Sequence, residues 1–467
     1  IGNDAFQEVD IVGMTRSIVK YGVTVRDRKD LGKIIKMAFQ IASSGKPGPV
    51  LIDIPKDIQT QNGPAGYPDH VDIRGYKPNE TVHIGQLKKA YKILKSAKQP
   101  LLLAGGGVNI SGAQELLTTF AEKMHIPVVT TVMGKGAIPT DHPLYVGNSG
   151  MHGRYAANMA VSECDVLFSV GTRFNDRITG DLNEFAPKAK IVHLDIDASS
   201  ISRNVVVDVP VVSDAKIALE RLVEWAEAKN TDKWLAKIGM WQEENPLEMR
   251  RDHGLSPQMI MEAINDIFPQ GIVVTDVGQH QMWATQYITM PRGKQMITSG
   301  GLGTMGFGFP AAVGAKIGAP NKDVVCITGD GGMQMNMQEM ATAICEKVPL
   351  TICILNNNYL GMVRQMQQLF YGKRYEITCL RRQIGCPDGC KGPNEACPPY
   401  VPDFVKWAES YGAHGQRVTS LEEAKAALAE AKDRIDAPTV IEFMIATEEI
   451  VLPMVKSGNP MSEMILK

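Results

Sequence analysis

Hydrophobic and polar positions along this chain alternate between two periods, and the alternation divides it into repeated strand–helix units. Short runs at residues 50–54, 100–104, 127–130, 166–170, 191–194, 271–274, 324–327, 350–355 and 439–443 are largely apolar, and those at 324–327 and 350–355 are rich in β-branched residues. That is the signature of strands covered on both faces. Between them lie an amphipathic helical stretch at 31–42 and further stretches at 87–97, 214–243 and 335–347 that read as helices. Strands joined through helices predict parallel sheets, so the fold class expected is α/β with three parallel-sheet domains. Residues 1–62 hold too little material to close a core of their own, so the first domain is expected to be incomplete. Residues 63–82, rich in Gly, Pro and Asp, read as a linker; 83–245 form the second domain and 254–467 the third. The chain opens at Ile1 inside what reads as a folded segment, so it is expected to be N-terminally incomplete.

Composition narrows the class. The 467 residues are 44% hydrophobic and 21% charged, ordinary for a globular protein. A net charge of −2 gives no electrostatic case for nucleic acid or an anionic membrane. No apolar run approaches the ~20 residues of a membrane span, and no signal or transit peptide is visible. The expected location is the cytoplasm.

The richest stretch is 324–358. An apolar strand ends in Gly329-Asp330-Gly331-Gly332, a helical segment follows, and a second strand ends in Asn356-Asn357, with Asn357 27 positions after Asp330. Neighbouring carboxyl ends of a parallel sheet are where ligands bind in open α/β folds. One carboxylate and one amide oxygen make an incomplete all-oxygen cation site, of the kind Mg²⁺ completes with ligand phosphates. Glycines beside the acid let backbone N–H groups approach those phosphates. The stretch therefore reads as a magnesium-diphosphate anchor. In the second domain, Gly105, Gly106 and Gly107 follow a strand, with a helix expected from about Ser111. They fit a dinucleotide phosphate turn or a plain strand–helix turn. Met151-His152-Gly153, and Asp195 and Asp197 at a strand end, strengthen the first reading.

The Gly-Asp-Gly…Asn-Asn arrangement resembles the thiamine diphosphate motif. Asn356 to Gln365, Ser299 to Gly306, Asp276 to His280 and Arg173 to Arg177 resemble the biosynthetic acetolactate synthases, large catalytic subunit, over nearly the whole chain. The resemblance implies three domains of the thiamine diphosphate-enzyme type: the C-terminal part of a pyrimidine-binding domain, a central FAD-binding domain and a diphosphate-binding domain. It implies Mg²⁺ on Asp330, Asn357 and the Tyr359 carbonyl. Gly278, Gln279, His280, Gly331 and Gly332 would meet the diphosphate, while Met305 holds the cofactor bent and the Gly303 carbonyl accepts from it. FAD would lie against Gly105–Gly107, Met151–Gly153, Arg173, Asp195 and Asp197. Arg177, Met362 and Met366 would line the substrate pocket, with Phe6 and Gln7 contributed across a homodimer. The implied activity is condensation of pyruvate with pyruvate or 2-oxobutyrate, with loss of CO₂, in branched-chain amino acid synthesis, alongside a small regulatory subunit. The runners-up are a pyruvate oxidase or glyoxylate carboligase type, or a non-catalytic cofactor-binding fragment.

Three departures from the family stand out. The glutamate that activates the cofactor lies upstream of the segment matching Ile1. Met366 stands where the family usually has tryptophan, and a flexible thioether defines a pocket less sharply. This implies weaker preference for 2-oxobutyrate and tolerance of herbicides that stack on the indole. Finally, Cys379, Cys386, Cys390 and Cys397 crowd a stretch, 379–397, that reads as an insertion. Their spacing fits no zinc pattern closely; metal (zinc or iron–sulfur), redox-active disulfides and no special role all stay open.

Overall fold

The computed structural model describes the chain except residues 1–4, 64, 248–253, 388–389, 391, 393 and 395. Asp388, Gly389, Lys391, Pro393 and Glu395, within the stretch 379–397 that reads as an insertion, thus lie outside the described residues. Two six-stranded parallel sheets carry most of the molecule, as the apolar runs require. A two-stranded parallel pair, β1 (Tyr21–Thr24) and β2 (Val50–Asp53), precedes them around helix Leu31–Ser43. Residues 63–82 form no regular element.

The central sheet contains β3 (Pro100–Ala104), β4 (Val128–Thr130), β5 (Tyr145–Asn148), β6 (Val166–Val170), β7 (Lys190–Asp195) and β8 (Val209–Val212), in the order β5-β4-β3-β6-β7-β8. Leu102, Val128, Phe168 and Val192 pack one face against helices Ile84–Ser96, Gln114–Met124 and Ala215–Trp225. Leu101, Leu103, Val129 and Leu167 pack the other against helices Tyr155–Glu163 and Asp232–Glu244. The third sheet contains β9 (Ile272–Thr275), β10 (Gln295–Thr298), β11 (Val324–Gly329), β12 (Thr351–Asn356), β13 (His414–Val418) and β14 (Thr439–Met444), in the order β10-β9-β11-β12-β14-β13. Both sheets reverse direction beside their first strand. The reversal opens a crevice at the carboxyl ends of β3 and β6 in one, and of β9 and β11 in the other. A small antiparallel pair, β15 (Met454–Val455) and β16 (Met464–Ile465), closes the chain.

Four expectations change. The helix expected from about Ser111 begins at Gly106, because the Gly105–Gly107 turn is pressed against the turn after β6. A Cβ on Gly107 would meet the Gly171 Cα at 2.7 Å. The single helix expected over 335–347 is a 3₁₀ turn, Met337–Glu339, then a short helix, Met340–Cys345. Asn336, just before the turn, is tied across to the Gly306 carbonyl at 2.8 Å. The helical stretch expected over 214–243 is two helices, broken at Ala226 to Thr231, where the Thr231 hydroxyl bonds the His125 carbonyl. Finally, β1, β5, β8, β10 and β13 had no counterpart among the expected strands.

Candidate functional site

The turns after β9, β11 and β12 converge on one cavity of about 310 Å³. β11 and β12 are direct neighbours, with Gly329 opposite Leu355, so the acid and the amide leave adjacent strands. Gly278, Gln279, His280, Gly303, Met305, Asp330, Gly331, Gly332, Asn357, Tyr359 and Met362 all line this cavity. A Cβ on Gly331 would stand 2.8 Å from Leu360 and 3.7 Å from the Met305 methyl, so only glycine leaves this floor open.

Burial pushes the Asp330 carboxyl up to about 8, although the nearby backbone at Gly331 and Asn358 and the Tyr400 phenol pull it the other way. Its Oδ2 atom is buried with no hydrogen-bond partner. A cation would satisfy a carboxylate oxygen in that state, and hard oxygen donors suit Mg²⁺. Asn357 is held from two sides: its Oδ1 accepts from the Tyr359 N–H (3.1 Å) and its Nδ2 donates to Gln279 Oε1 (3.3 Å). Gln279 Nε2 donates in turn to Gln365 Oε1 and the Glu449 carbonyl, both at 2.9 Å. The preceding Asn356 donates to Glu442 (2.7 Å), which Arg417 neutralises from β13 at 2.7 Å. The turn at Asn358, with φ of 64°, is thus fixed by buried polar bonds.

His280 lies against Gly329 and Gly278. Burial lowers its ring to about 4, with the Asp276 backbone opposing, and Nε2 is left buried and unpaired. An anion beside Nε2 would satisfy it. Asp276, which opens the resembling stretch Asp276 to His280 but was assigned no role, accepts from Val277 N–H (2.7 Å), Gly306 N–H (3.0 Å) and Gly308 N–H (2.7 Å). It welds the end of β9 to the glycine loop carrying Gly303 and Met305. Gln365 and Tyr400 were given no role either, although Gln365 closes the Asn356 to Gln365 stretch that carries the resemblance.

A second cavity, of about 520 Å³, opens at the reversal point of the central sheet. Gly106, Gly107, Arg173, Arg177 and Asp195 line it, as do Lys46 from before β2 and Gly300–Leu302 from the third sheet. Gly105 stands just behind: its Cβ would meet the Gly171 carbonyl at 2.2 Å. Burial raises the Asp195 carboxyl, whereas Asp197 is paired with Lys46 at 2.8 Å and held far below the carboxylate range. A long, glycine-floored cleft with an acid at the third strand end is the shape a dinucleotide needs. Met151, His152 and Gly153 do not line it. They sit one contact behind, where the Met151 N–H bonds the Arg177 carbonyl (2.8 Å) and its carbonyl accepts from Val455 (2.8 Å). Phe6 and Gln7 stand on the surface away from both cavities, Phe6 92% exposed and Gln7 with φ of 63°. Met366 is half-buried on helix Gly361–Phe370, one turn beyond Met362 and outside the cavity lining. The four clustered cysteines line a third cavity, and all eight cysteines are free thiols. Among the described residues, no three His, Cys, Asp or Glu side chains are gathered closely enough to hold an ion, and no helix is long and apolar enough to cross a membrane.

Residues 87–222 match the family described as thiamine pyrophosphate enzyme, central domain, and 276–443 match thiamine pyrophosphate enzyme, C-terminal TPP binding domain. The chain is 43% identical to a probable acetolactate synthase large subunit of Methanocaldococcus jannaschii, across 100% of this chain and 78% of that protein. It is 41% identical to acetolactate synthase large subunits of Corynebacterium glutamicum (99% and 73% covered) and Haemophilus influenzae (100% and 80%).

Proposed function

The chain belongs to the acetolactate synthase large-subunit family of thiamine pyrophosphate enzymes, and from that premise we propose how its residues serve the reaction. The activity is thiamine diphosphate-dependent formation of acetolactate, a carbon–carbon bond made between two 2-oxo acid units with loss of CO₂. The observation that carries the site assignment is the buried, partnerless Asp330 Oδ2 beside Asn357 at adjoining strand ends.

Asp330, Asn357 and the Tyr359 main-chain carbonyl would hold Mg²⁺, and Gln279, His280 and the glycines at 331–332 would receive the diphosphate. Thiamine diphosphate supplies the electron sink that makes decarboxylation and carbon–carbon bonding accessible. The chain's own work is to orient and enclose. Asp276 fixes the loop that presents the Gly303 carbonyl and Met305. An oxygen anion at His280 Nε2 favours the protonated ring, so ligand uptake draws a proton to that atom. Arg177, at the mouth of the second cavity, offers a guanidinium fork to the carboxylate of the acceptor acid, pyruvate or 2-oxobutyrate. Met366 shapes the acceptor pocket, and Phe6 and Gln7 reach it from a second copy in a homodimer. The second cavity fits FAD, with Gly105–Gly107, Arg173, Asp195 and Asp197 near it and Met151, His152 and Gly153 supporting its wall. Residues 1–62 would then be the C-terminal part of the pyrimidine-binding unit, 83–245 the FAD-binding unit and 254–467 the diphosphate-binding unit, in a cytoplasmic enzyme. Relatives are named large subunits, which favours a small regulatory partner.

Calorimetric binding of thiamine diphosphate with Mg²⁺ tests the anchor: Asp330→Asn weakens it at least about tenfold, or about 1.4 kcal/mol. Equal affinity in that variant overturns the metal assignment. A product assay tests the reaction. Acetolactate from pyruvate is expected, whereas acetate formed with oxygen uptake would place the chain with pyruvate oxidases.

A further inference from the structure

The cysteine-rich segment, which the reaction does not use, is fastened at both ends to the diphosphate anchor. On entry, Tyr359 and Cys379 form an isolated antiparallel bridge; Leu360 N–H donates to the Thr378 carbonyl (2.8 Å) and Leu380 N–H to the Asn358 carbonyl (3.0 Å). The Leu380 side chain lies over Gly331, 3.3 Å from where a Cβ would stand. On exit, the Tyr400 phenol stands close enough to the Asp330 carboxyl for each to shift the other's proton affinity. Both ends therefore touch residues assigned to the magnesium site.

Between those ends, Cys379, Cys386, Cys390 and Cys397 all line one cavity of about 470 Å³, with Arg381, Arg382 and the Tyr359 ring in its wall. Two of the sulfurs are addressed in the same way from three residues upstream. The Gln383 N–H points to Cys386 Sγ at 3.4 Å and the Asn394 N–H to Cys397 Sγ at 3.2 Å. Peptide donors aimed at sulfur hold both side chains turned into the loop, toward the shared cavity. Arg381 laces the base of the loop, donating to the Pro398 carbonyl (2.6 Å) and the Cys397 carbonyl (3.0 Å). The remaining thiols differ: Cys164, Cys326 and Cys353 are sealed in the core, where burial raises them, and Cys345 is exposed elsewhere.

We propose that these four cysteines form a thiolate site for a thiophilic metal, Zn²⁺ or an iron–sulfur cluster, and that its occupancy sets the posture of the magnesium anchor through Tyr359 and Tyr400. A donor set of four sulfurs with no oxygen selects soft or borderline metals over Mg²⁺. On binding, four thiols release four protons. Four thiolates on Zn²⁺ leave a net charge of −2, which the Arg381 and Arg382 guanidiniums at the cavity offset. In the present structure the sulfurs share the cavity without reaching common ligand distance, so metal uptake draws the segment inward. Its ends can then only shift against Asn358, Gly331 and Asp330. The coupling half of this proposal rests on the thiamine diphosphate reading; the metal site does not.

The test uses the protein purified without oxygen, with zinc, iron and acid-labile sulfide measured and the visible spectrum recorded. About one equivalent of zinc, or about four of iron with matching sulfide and a broad visible band, is expected. The Cys386→Ser/Cys397→Ser double variant should fall below about a tenth of an equivalent, and Cys345→Ser should keep its metal. Retained circular dichroism in the double variant shows that the loss is local. Metal below a tenth of an equivalent in the parent protein, metal retained in the double variant, or a disulfide among the four found by peptide mapping each overturns the site. Stripping the metal should raise the Mg²⁺ concentration needed for thiamine diphosphate binding at least about threefold, reversed on reloading. An unchanged Mg²⁺ requirement overturns the coupling. A protein that holds the metal yet binds no thiamine diphosphate sinks the cofactor reading and leaves the thiolate site standing.

Discussion

At the scale of single residues, this protein keeps titratable groups dry and leaves some polar ends for ligands. Asp330 and His280 each present one buried, unpaired atom to the first cavity, at a cost in the free protein that a bound ion or anion repays. His152 shows the same economy away from that cavity. Burial lowers its ring to about 4, against the pull of the Pro453 carbonyl. The unfolded chain, with an ordinary histidine near 6.5, therefore binds more protons than the folded one between about pH 4 and 6.5. Stability from this group is complete above that window and lost as pH falls through it. Relative to His152→Gln, the parent protein should lose roughly 2 kcal/mol between pH 7 and 4.5 in urea unfolding; parallel pH profiles would refute a dry histidine. Met366 supplies a second prediction. Restoring an indole with Met366→Trp should raise the preference for 2-oxobutyrate over pyruvate at least about fivefold in a competition assay, about 1 kcal/mol of differential binding. An unaltered product ratio would remove Met366 from the acceptor pocket.

At the scale of elements, the site is a set of strand-end turns locked to one another by side chains that are not themselves ligands. Asp276 is the main lock, one carboxylate accepting three backbone N–H groups across β9 and the glycine loop. Asp276→Asn keeps the shape but turns one acceptor oxygen into a donor facing N–H groups. It should cost about 2–3 kcal/mol in thermal or urea unfolding, and should weaken cofactor binding more than it weakens the fold near β12. Hydrogen exchange at Gly306 and Gly308 that stays as slow as in the parent protein would contradict this. Helix Gly361–Phe370 is locked in the same manner: a Cβ on Gly361 would meet Gln279 Oε1 at 2.0 Å and Asn357 Nδ2 at 2.7 Å. The motif residues in this region were visible because glycines, an acid and amides stood at fixed spacing. The roles of Asp276, Gln365 and Tyr400 were not, because their main partners lie far away in sequence and only the folded sheet brings them near.

At the scale of the whole molecule, the two six-stranded sheets are fitted to each other rather than strung apart. Met290 and Thr140 exchange bonds, the Met290 N–H to Thr140 Oγ1 at 2.8 Å, and Gln286 donates to the His152 carbonyl at 3.1 Å. The buried Lys135 also donates to the Thr285 carbonyl, and its ammonium is held well below its usual value by burial. The first unit is the opposite case. Its pair of strands is too small to bury its own apolar residues, and Met14, Ile18 and Phe39 stand 67%, 71% and 68% exposed. If the proposed homodimer forms, that surface is its predicted face, close in sequence to Phe6, which the proposal places across the subunit boundary. Phe39→Asp should weaken self-association at least about tenfold in sedimentation velocity without changing far-ultraviolet circular dichroism. Unchanged association would move the dimer contact elsewhere.

The amino-acid sequence alone determined the interior strands, the parallel class and the chemical character of the diphosphate anchor. Each of those is written locally: a strand covered on both faces must be apolar along its whole length, and an ion site at a strand end needs its acid, amide and glycines within a few residues of that end. Tertiary structure alone decided the rims of both sheets. β5, β8, β10 and β13 are edges, where one side meets solvent or loop, so Pro210, Gly147, Gln295 and Arg417 are tolerated and the apolar signal is lost. It also decided which distant turns share a cavity. The pairing of β11 with β12 put Asp330 beside Asn357, the reversal at β9 swung His280 over Gly329, and closure of the chain between Tyr359 and Tyr400 set four cysteines around one space. Proximity of that kind comes from sheet order, which no local stretch of residues encodes.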